Sequence, residues 1–304
     1  MPLLRCTITL FVAHSDAVQR ESGIQWVLSE HMLKVAMQQG KGEHAMNTRQ
    51  QDEKGNTSPQ TTPLFFLVLA GFVLAMLGAC AAAISGFGSR WEWWHYSTGF
   101  VILRWAAYTG LAAAALSFVG GIVPRPDGFQ RSIAFSVAGI VIGLTVAGIP
   151  WSWMRTAQRV PHIHDITTDT ENPPRFVSVQ PFRKNAENSA EYGGPGVAAQ
   201  QHTAYPDIVP LTLPMPPAQV FERALATARH RGWLIVDANP DEGRIEATAT
   251  TFWFGFKDDV VIRIVPVPGG SRLDMRSVSR VGVSDVGTNA ARIRSYLKEL
   301  GHNG

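Results

Sequence analysis

The residues of this chain that could do chemistry lie in two polar segments, and the first is HDITTD, residues 164–169. His162 and His164 form a His-x-His pair, whose imidazoles lie on the same side of an extended chain. Nearby carboxylates, here Asp165 and Asp169, could complete a metal site. The alternative is a polar strand start in which the two carboxylates accept the backbone amides of turns. No further Cys/His cluster supports a metal, so the two histidines are weak ligand candidates and no cofactor is assigned.

The second polar segment is RSVSRVGVSDVGTNAARI, residues 276–293. Helix N-termini bind anions, and the candidate ligand-binding side chains here are Arg276, Arg280, Asp285 and Asn289. The same residues also suit the end of a strand and the start of a helix. Gly282 permits a tight turn, and Ser284 or Asp285 is a good N-cap. As a cap, the Asp285 carboxylate would occupy the position that an anion needs, which argues against an anion site.

No familiar catalytic motif accompanies these two segments. The sequence has no Ser/His/Asp order, nucleophile elbow, P-loop or dinucleotide fingerprint. Asp258 and Asp259 are neighbours on a predicted strand and point to opposite faces, so they cannot act as a paired acid and base. The net charge is only +3 and no block of lysines or arginines occurs, which excludes nucleic acid as a partner. The two cysteines, Cys6 and Cys80, provide no disulfide framework.

Three apolar runs precede the polar segments, at residues 63–88, 99–123 and 132–154. Each run reaches the roughly 20 residues that cross a bilayer core of about 30 Å. One charge, Arg104, interrupts them, either as an interfacial arginine whose stem reaches the headgroups or as a buried ionisable site. Tryptophans near the ends of the runs and many small residues predict aromatic belts and a closely packed bundle. Residues 63–154 are therefore predicted to be a three-helix anchor with the lipid bilayer as its partner.

The basic residues around the runs indicate an orientation. Those before the first run and around the second loop are Arg49, Lys54, Arg125 and Arg131. Those on the other side are Arg90, Arg155 and Arg159. By the positive-inside rule, this count of four against three puts the N-terminus in the cytoplasm and residues 155–304 on the opposite side of the membrane.

Two further stretches flank the three apolar runs. Residues 1–62 are a polar leader, in which Met46 opens a stretch directly before the first run and is favoured as the natural start. Residues 1–45 would then be an upstream extension; the alternative is an amphipathic helix over residues 23–40. Residues 155–206 are rich in Gly, Pro, Asn and Ala and are predicted to be an extended tether across the surface of the last domain.

Residues 207–304 carry regular elements in the order β-α-β-β-β-β-α. PPAQVFERALATARHRG predicts a helix with one apolar face, formed by Val220, Ala224, Leu225 and Ala228. RIEATATTFW and DDVVIRIV alternate as strands do, and the connections between strands have hairpin length. The order predicts an α+β domain, an antiparallel sheet with helices packed on one face.

The hairpin turns set a register for this sheet. Pairing of Val265 with Arg272 places Arg263 opposite Asp274, and pairing of Trp253 with Asp258 places Thr248 opposite Arg263. The core face is then formed by Ile245, Ala247, Ala249, Val260, Ile262, Ile264, Leu273 and Met275. The other face carries Glu246, Thr248, Asp259, Arg263, Asp274 and Arg276. That polar face is either solvated, with weak cross-strand ion pairs, or a ligand-binding surface with Arg263 and Arg276 as anion donors.

Four motifs together, IHDITTDTENPPRF, YPDI, DDVVIRI and DMRSVSRVGVSDVGTNAARI, resemble the bacterial domain-of-unknown-function family 1499. The resemblance covers about residues 160–300. It implies a domain of the cell envelope, in some members a lipoprotein and in others fused to membrane spans. It implies no established activity and no catalytic residues. Together with the orientation, it predicts a multi-pass protein of the bacterial inner membrane with a periplasmic C-terminal domain.

Three hypotheses of function follow. The first is a non-enzymatic domain for envelope binding or assembly, with envelope proteins as partners. The second is an enzyme, or a metal or anion site, built where His164, Asp165 and Asp169 meet Arg276, Arg280 and Asp285. The third is a module that binds a small ligand or lipid in a groove between sheet and helix. Contact between the two polar segments would favour the second hypothesis, whereas separation by the whole sheet would favour the first.

Overall fold

The computed structural model describes residues 63–122 and 129–302, and this part of the chain begins with three long helices. They are α1 (Pro63–Arg90), α2 (Tyr96–Ile122) and α3 (Phe129–Ala157). The stretches long and apolar enough to cross a membrane are Phe66–Arg90, Tyr96–Ile122 and Arg131–Ala157. The prediction of three helices long and apolar enough to span a membrane is confirmed. The predictions about Met46 and the polar leader lie outside the described residues.

Small residues bring the three helices close together. A Cβ atom on Gly110 of α2 would lie 2.6 Å from the carbonyl oxygen of Gly143 in α3, and one on Gly99 would lie 2.6 Å from that of Ser85 in α1. Ser136 donates a hydrogen bond of 2.6 Å to the carbonyl oxygen of Ser117 across the α2–α3 interface. Close backbone approach and interhelical hydrogen bonds are the main attractions between helices in lipid, where apolar burial gives little.

The rest of the described chain is an α+β domain built on an antiparallel sheet of short and long strands. Its strands are β1 (Asp165–Thr167), β2 (Leu211–Leu213), β3 (Leu234–Asn239), β4 (Arg244–Thr250), β5 (Lys257–Val267) and β6 (Gly270–Ser279). Its helices are α4 (Pro195–Ala204), α5 (Pro217–His230) and α6 (Thr288–His302), with a 3-10 helix at Gln180–Arg183. The spatial order is β1-β6-β5-β4-β3, and β2 also pairs with β6. The predicted fold class and the order β-α-β-β-β-β-α after residue 207 are confirmed.

The predicted register is confirmed for one hairpin and wrong for the other. In β5–β6, Arg263 lies opposite Asp274 and Val265 opposite Arg272, as the turn predicted. In β4–β5, Thr248 lies opposite Asp259 rather than Arg263. The reason is the loop at residues 251–256, in which the Thr251 amide bonds to the Phe256 carbonyl at 2.9 Å. This loop is longer than the predicted turn and shifts the pairing.

The core lies between the sheet and helices α5 and α6. All eight residues that the alternation assigned to the core face are buried there, together with the predicted apolar face of α5. Tyr296 of α6 is fully buried, stacks on Trp233 with ring centroids 5.1 Å apart, and donates to the Ala224 carbonyl at 2.7 Å. The hydroxyl of this large side chain is therefore satisfied, as burial requires.

The opposite face of the sheet is covered by the chain. Residues 165–192, here called the covering segment, start as β1 and continue over the polar face through the 3-10 helix. Phe176 and Val179 of this segment pack against Val261 and Val278 of the sheet. The polar residues beneath, including Glu246, Asp259, Asp274 and Arg276, are at most 2% exposed. The interpretation as a solvated face is therefore wrong, because residues 165–192 cover it. These residues belong to the stretch 155–206 that was predicted to be a tether, and that stretch forms β1, the 3-10 helix and α4.

Candidate functional site

The two polar segments meet at the covered face, and their first contact is between Arg276 and Asp165. Strand β1 pairs with β6 so that Asp165 lies opposite Val278. Val278 and Arg276 are two residues apart on β6, so Asp165 and Arg276 share one face of the sheet. The guanidinium donates to both carboxylate oxygens, from Nε at 2.9 Å and from Nη2 at 2.7 Å. Both side chains are at most 5% exposed. A bidentate pair of this kind is a strong and directional contact.

Arg276 is also enclosed by aromatic rings of the covering segment. Its guanidinium carbon lies 5.2 Å from the ring centroid of Phe176 and 5.5 Å from that of Tyr192. Cation–π attraction adds to the ion pair in this position. Burial, followed by the negative charge of Asp165, raises the pKa of the Tyr192 hydroxyl to about 12. Tyr192 is therefore neutral at physiological pH and leaves the Asp165 charge to Arg276.

A second cluster surrounds Asp259, which is fully buried on β5. Arg280 donates to its two oxygens at 2.9 and 2.8 Å, and Thr248 donates at 2.8 Å. Arg183 of the 3-10 helix also donates to this carboxylate. Asn188 donates to the carbonyl oxygens of Ser279 and Gly282 at 3.1 and 2.8 Å, which holds the covering segment to the end of β6.

A third cluster, more open to solvent, contains two carboxylates and two guanidinium groups. Asp169 accepts from Arg263 at 3.1 Å and from Arg272 at 2.7 Å. Asp274 accepts from Arg263 at 2.9 Å and from Arg272 at 3.1 Å. Asp169 also accepts the backbone amide of Asn172 at 2.9 Å. Asp169 therefore closes a turn, as one of its two predicted roles required, and also pairs with two arginines.

Glu246 secures the middle of the covering segment. Its carboxylate accepts three consecutive backbone amides, from Val177 at 2.8 Å, Ser178 at 3.1 Å and Val179 at 2.8 Å. Arg244 on the same strand donates to it as well. Sequence reasoning placed Glu246 on the polar face but did not rank it as a site residue. The alternation of β4 was enough to predict which face Glu246 is on. No local pattern indicates that the backbone amides it binds lie about 70 residues earlier in the chain.

The remaining site candidates lie on the helix side of β6, where the chain turns into α6. Gly282 has a φ of +86°, which confirms the tight turn. Asp285 caps α6, accepting the amides of Gly287 at 3.0 Å and Asn289 at 2.6 Å. Burial, the largest effect, raises the pKa of Asp285 above its ordinary value, although the two amides oppose the shift. Asn289 donates to the His164 carbonyl at 2.9 Å, so the two polar segments also meet on this side.

The histidines of the first segment take different positions. His162 is exposed, whereas the Nδ1 atom of His164 is buried and has no hydrogen-bond partner among the described residues. The carbonyl oxygen of His164 accepts the Ser279 amide at 3.0 Å. Within residues 63–122 and 129–302, no group of three or more His, Cys, Asp or Glu side chains is placed to hold a metal ion.

The candidate residues of the two polar segments and the polar sheet face are thus brought together in two places, on the covered face and at the start of α6. On the covered face, the carboxylates of Asp165, Asp169, Asp259 and Asp274 each have arginine partners. Sequence reasoning missed Arg183, Arg272 and Asn188, which complete these clusters. The arrangement can hold the covering segment on the sheet, and a ligand-binding role for these residues stays a prediction.

A separate set of contacts joins the domain to the membrane helices, through the loop at residues 251–256, here called the docking loop. Phe254 is 5% exposed and packs among Leu103, Ala106 and Val146 of the helices. Trp253 donates from Nε1 to the Ala83 carbonyl at 3.0 Å. The loop therefore inserts aromatic side chains between the ends of the apolar helices.

Polar contacts surround this aromatic insertion. Arg90, at the end of α1, donates to the carbonyl oxygens of Thr251 at 2.8 Å and Phe252 at 3.0 Å. Tyr96, at the start of α2, donates to the Glu187 carboxylate at 3.0 and 3.1 Å. Glu187 in turn accepts the Gly282 amide at 3.3 Å. The covering segment and the turn after β6 are therefore tied to the same helix ends as the docking loop.

Comparison with known proteins gives a family match for the α+β domain. Residues 165–300 match the model of a family described as "Protein of unknown function (DUF1499)". The matched range contains the sheet, the second polar segment, the first polar segment from Asp165 onward and the docking loop, and it follows the three long helices. No curated protein matches the chain.

Proposed function

We propose that this chain, in which a domain of the DUF1499 family follows three helices able to cross a membrane, is a non-enzymatic binding or assembly protein of the cell envelope. It presents its α+β domain at the outer surface of a bacterial inner membrane. Its partners are envelope proteins that reach that surface. The observation that carries the proposal is the docking loop, because it fixes the domain against the helix ends.

The docking contact supports a role that depends on position. A domain on a flexible tether samples many distances and orientations, whereas Phe254 and Trp253 hold this one directly at the ends of α1 and α2. Such a domain offers partners in the same membrane a surface of constant height and orientation. Pre-orientation lowers the entropic cost of association, which suits an assembly or binding role.

The charged groups support a structural use of the two polar segments. Asp165 and Arg276 satisfy each other, as do Asp259 and Arg280, and these pairs fasten the covering segment to the sheet. Arg276 and Asp259 lie buried beneath the covering segment, so an incoming anion would have to displace this segment and separate a buried ion pair to reach them. This favours binding through the outer surface of the domain.

The periplasmic location of the domain rests on the positive-inside count and has a direct test. Cys6 and Cys80 would be replaced by serine, and single cysteines introduced as Ala199→Cys in the exposed part of α4 and as Ser58→Cys before the first helix. We expect a membrane-impermeant maleimide to label Ala199→Cys in intact cells and Ser58→Cys only after permeabilisation. The reverse pattern would place the domain in the cytoplasm.

A second candidate function is a metal or anion site, catalytic or not, where HDITTD meets the RSVSRVGVSD segment. Two observations favour it: the segments are in contact through Asn289 and His164, and the buried Nδ1 atom of His164 has no partner in the part of the chain that the structure describes. Metal analysis of the purified full chain, beside the His164→Ala variant, separates the candidates. A stoichiometric metal that disappears in the variant would establish this site over the binding role.

A further inference from the structure

We propose that an open depression in the α+β domain binds the phosphate group of a membrane lipid, and we call it the headgroup pocket. Its volume is about 560 Å³. Its walls are formed by Arg231, Trp233, Thr288, Ala291, Arg292 and Ser295. The proposal rests on the proposed function only in one respect, namely that the domain stands on the bilayer surface, and it holds for either orientation of the chain.

One wall of the headgroup pocket lies at the end of the sheet that carries the docking loop. Trp233 directly precedes β3, whose first residue, Leu234, pairs with Thr248 of β4. Only two residues separate Thr248 from the docking loop at residues 251–256. Since a strand rises about 3.3 Å per residue, this wall stands on the order of 10 Å from the loop that contacts the membrane helices.

The other wall lies near the end of α3. Thr288 is the first residue of α6, and it follows Asp285, whose amide bonds to the Ile163 carbonyl at 3.3 Å. Ser284 also donates to the Pro161 carbonyl at 3.3 Å. Helix α3 ends at Ala157, only a few residues before these acceptors. Both walls are therefore at the membrane end of the domain, where lipid headgroups are the most concentrated phosphates.

The side chains of the pocket are of types that bind phosphate, and the two arginines are held in fixed orientations. Two guanidinium groups, which suit phosphate geometry, stand beside the Thr288 hydroxyl, which can also donate. The Ser295 hydroxyl donates to the Arg292 carbonyl at 3.0 Å. Arg292 is fixed by Asp258 at 2.5 Å and by Ser277 at 3.0 Å. Arg231 is fixed by Glu299 at 2.6 Å and by Ser295. Because a guanidinium has five N–H donors, these bonds orient each arginine without exhausting it.

The ion pairs also limit the affinity that the pocket can have. Asp258 and Glu299 balance the charges of the two arginines, so attraction for a free anion is weak. A lipid of the same membrane is held nearby at high effective concentration, which raises occupancy without a stronger contact. This is why the geometry points to a headgroup rather than to dissolved phosphate.

Apolar groups beside the pocket suit the rest of a lipid. Trp233 lines the pocket with the Arg231 guanidinium 5.9 Å from its ring centroid. Leu234 is 70% exposed and Phe252, in the docking loop, is 79% exposed, although both side chains are large and apolar. Exposed aromatic and aliphatic side chains at the membrane end of a domain are expected to enter the interfacial region of the bilayer.

The test uses the purified full chain in detergent and a short-chain phosphatidylglycerol as the probe, with binding read by native mass spectrometry. Two variants remove the pocket in different ways. Arg231→Gln removes a donor, and Ala291→Phe fills the space from an exposed position of α6 while both arginines are retained. We expect each variant to weaken probe binding at least about tenfold. Ala291→Phe removes no ion pair, so it should do this with an unchanged melting temperature. Arg229→Gln, an exposed neighbour outside the pocket, should bind as the original chain does.

Three results would overturn the proposal. The first is probe binding that neither Arg231→Gln nor Ala291→Phe reduces. The second is displacement of the lipid by equimolar inorganic phosphate, which would assign the pocket to a free anion. The third is equally tight binding of an uncharged diacylglycerol, which would remove the phosphate from the recognition. Maleimide labelling of Ala199→Cys is independent of the pocket, so a failure here is distinguishable from a failure of the proposed location.

Discussion

Arg276 illustrates how side chains that resemble a ligand site can be used inside a fold. Its guanidinium has one carboxylate partner, two carbonyl partners and two aromatic neighbours, and all of these except the carboxylate belong to residues 174–192. The carboxylate is Asp165, at the start of the covering segment. One arginine on β6 therefore joins both ends of that segment to the sheet.

Breaking this pair should be costly. We expect Arg276→Met to lower the free energy of unfolding of the domain by about 3–5 kcal/mol, because Asp165 would remain buried without a counter-charge. Pulse proteolysis of the full chain in urea measures the change. Arg272→Met is the matched control, since its side chain is 36% exposed and its pairs should contribute at most about 1 kcal/mol.

A double variant tests the physical reason. Asp165→Asn combined with Arg276→Met removes both charges, so it should cost less than the sum of the two single variants. Additive losses would show that the pair itself contributes little and that packing against Phe176 and Tyr192 is what stabilises the covering segment.

Asp285 gives a prediction about pH. Burial raises the pKa of its carboxyl above the ordinary value of 3.8, so the folded state binds the proton more tightly than the unfolded state does. The stability gained in this way is fully present below the unfolded pKa and is lost as the pH rises through the folded pKa. Asp285→Asn keeps a capping oxygen but does not titrate.

The measurement is the difference in unfolding free energy between the original chain and Asp285→Asn as a function of pH. Relative to the variant, the original chain should lose stability as the pH rises from about 3. The difference should become constant once Asp285 is fully ionised. Two curves that stay parallel over the whole range would contradict the burial effect at this position.

Whether the sequence predicted an element and its pairing correctly depended on how close in sequence the contacting residues are. The β5–β6 register followed from a short turn, and the polar and apolar faces followed from alternation, so Arg263 and Asp274 were correctly paired. The β4–β5 register failed because the docking loop folds on the membrane helices. Strand β1 was missed because three residues have no detectable period and their partner, β6, lies more than 100 residues later.

The candidate site follows the same rule. The local roles of Gly282 and Asp285, a turn and a cap, could be predicted from residue type. The contact between Asp165 and Arg276 could be formulated only as a question, since no pattern in the sequence fixes which way the covering segment crosses the sheet. Arg183 was overlooked because it lies in a stretch without regular alternation, where residue type alone gives no facing direction.

The packing of α2 against α3 provides a prediction for the membrane helices. A methyl group at position 110 would lie 2.6 Å from the Gly143 carbonyl oxygen, which is backbone and cannot move aside without separating the helices. Gly110→Ala should therefore lower the melting temperature of the full chain in detergent by several degrees, since ΔΔG of about 1–3 kcal/mol is typical of overpacking.

Gly148→Ala is the matched control in α3, because nothing lies within 4 Å of a Cβ atom added there. This variant should be neutral or slightly stabilising, as alanine is the better helix former. Equal losses in the two variants would show that glycine is needed for a reason other than close approach of the helices.

At the scale of the whole molecule, the domain and the membrane helices are joined by contacts of different kinds at separate points. The docking loop contributes aromatic packing, Arg90 contributes hydrogen bonds to two carbonyl groups, and Glu187 connects Tyr96 to the turn at Gly282. Glu187 lies in the covering segment, whose position depends on the ion pairs of the sheet. The internal pairing of charges and the attachment to the membrane are therefore parts of one structure.

Phe254 allows this attachment to be tested apart from the stability of the sheet. Phe254→Ala removes a buried ring, a change that typically costs about 3–5 kcal/mol, and the loss should fall on the contact with the helices. Hydrogen exchange of the full chain should quicken in the docking loop and at the ends of α1 and α2. Phe252→Ala, in the same loop but with a side chain 79% exposed, should leave exchange nearly unchanged. Equal loss of protection throughout β5 and β6 would instead mean that Phe254 supports the sheet, and the domain would no longer be held to the membrane helices by this loop.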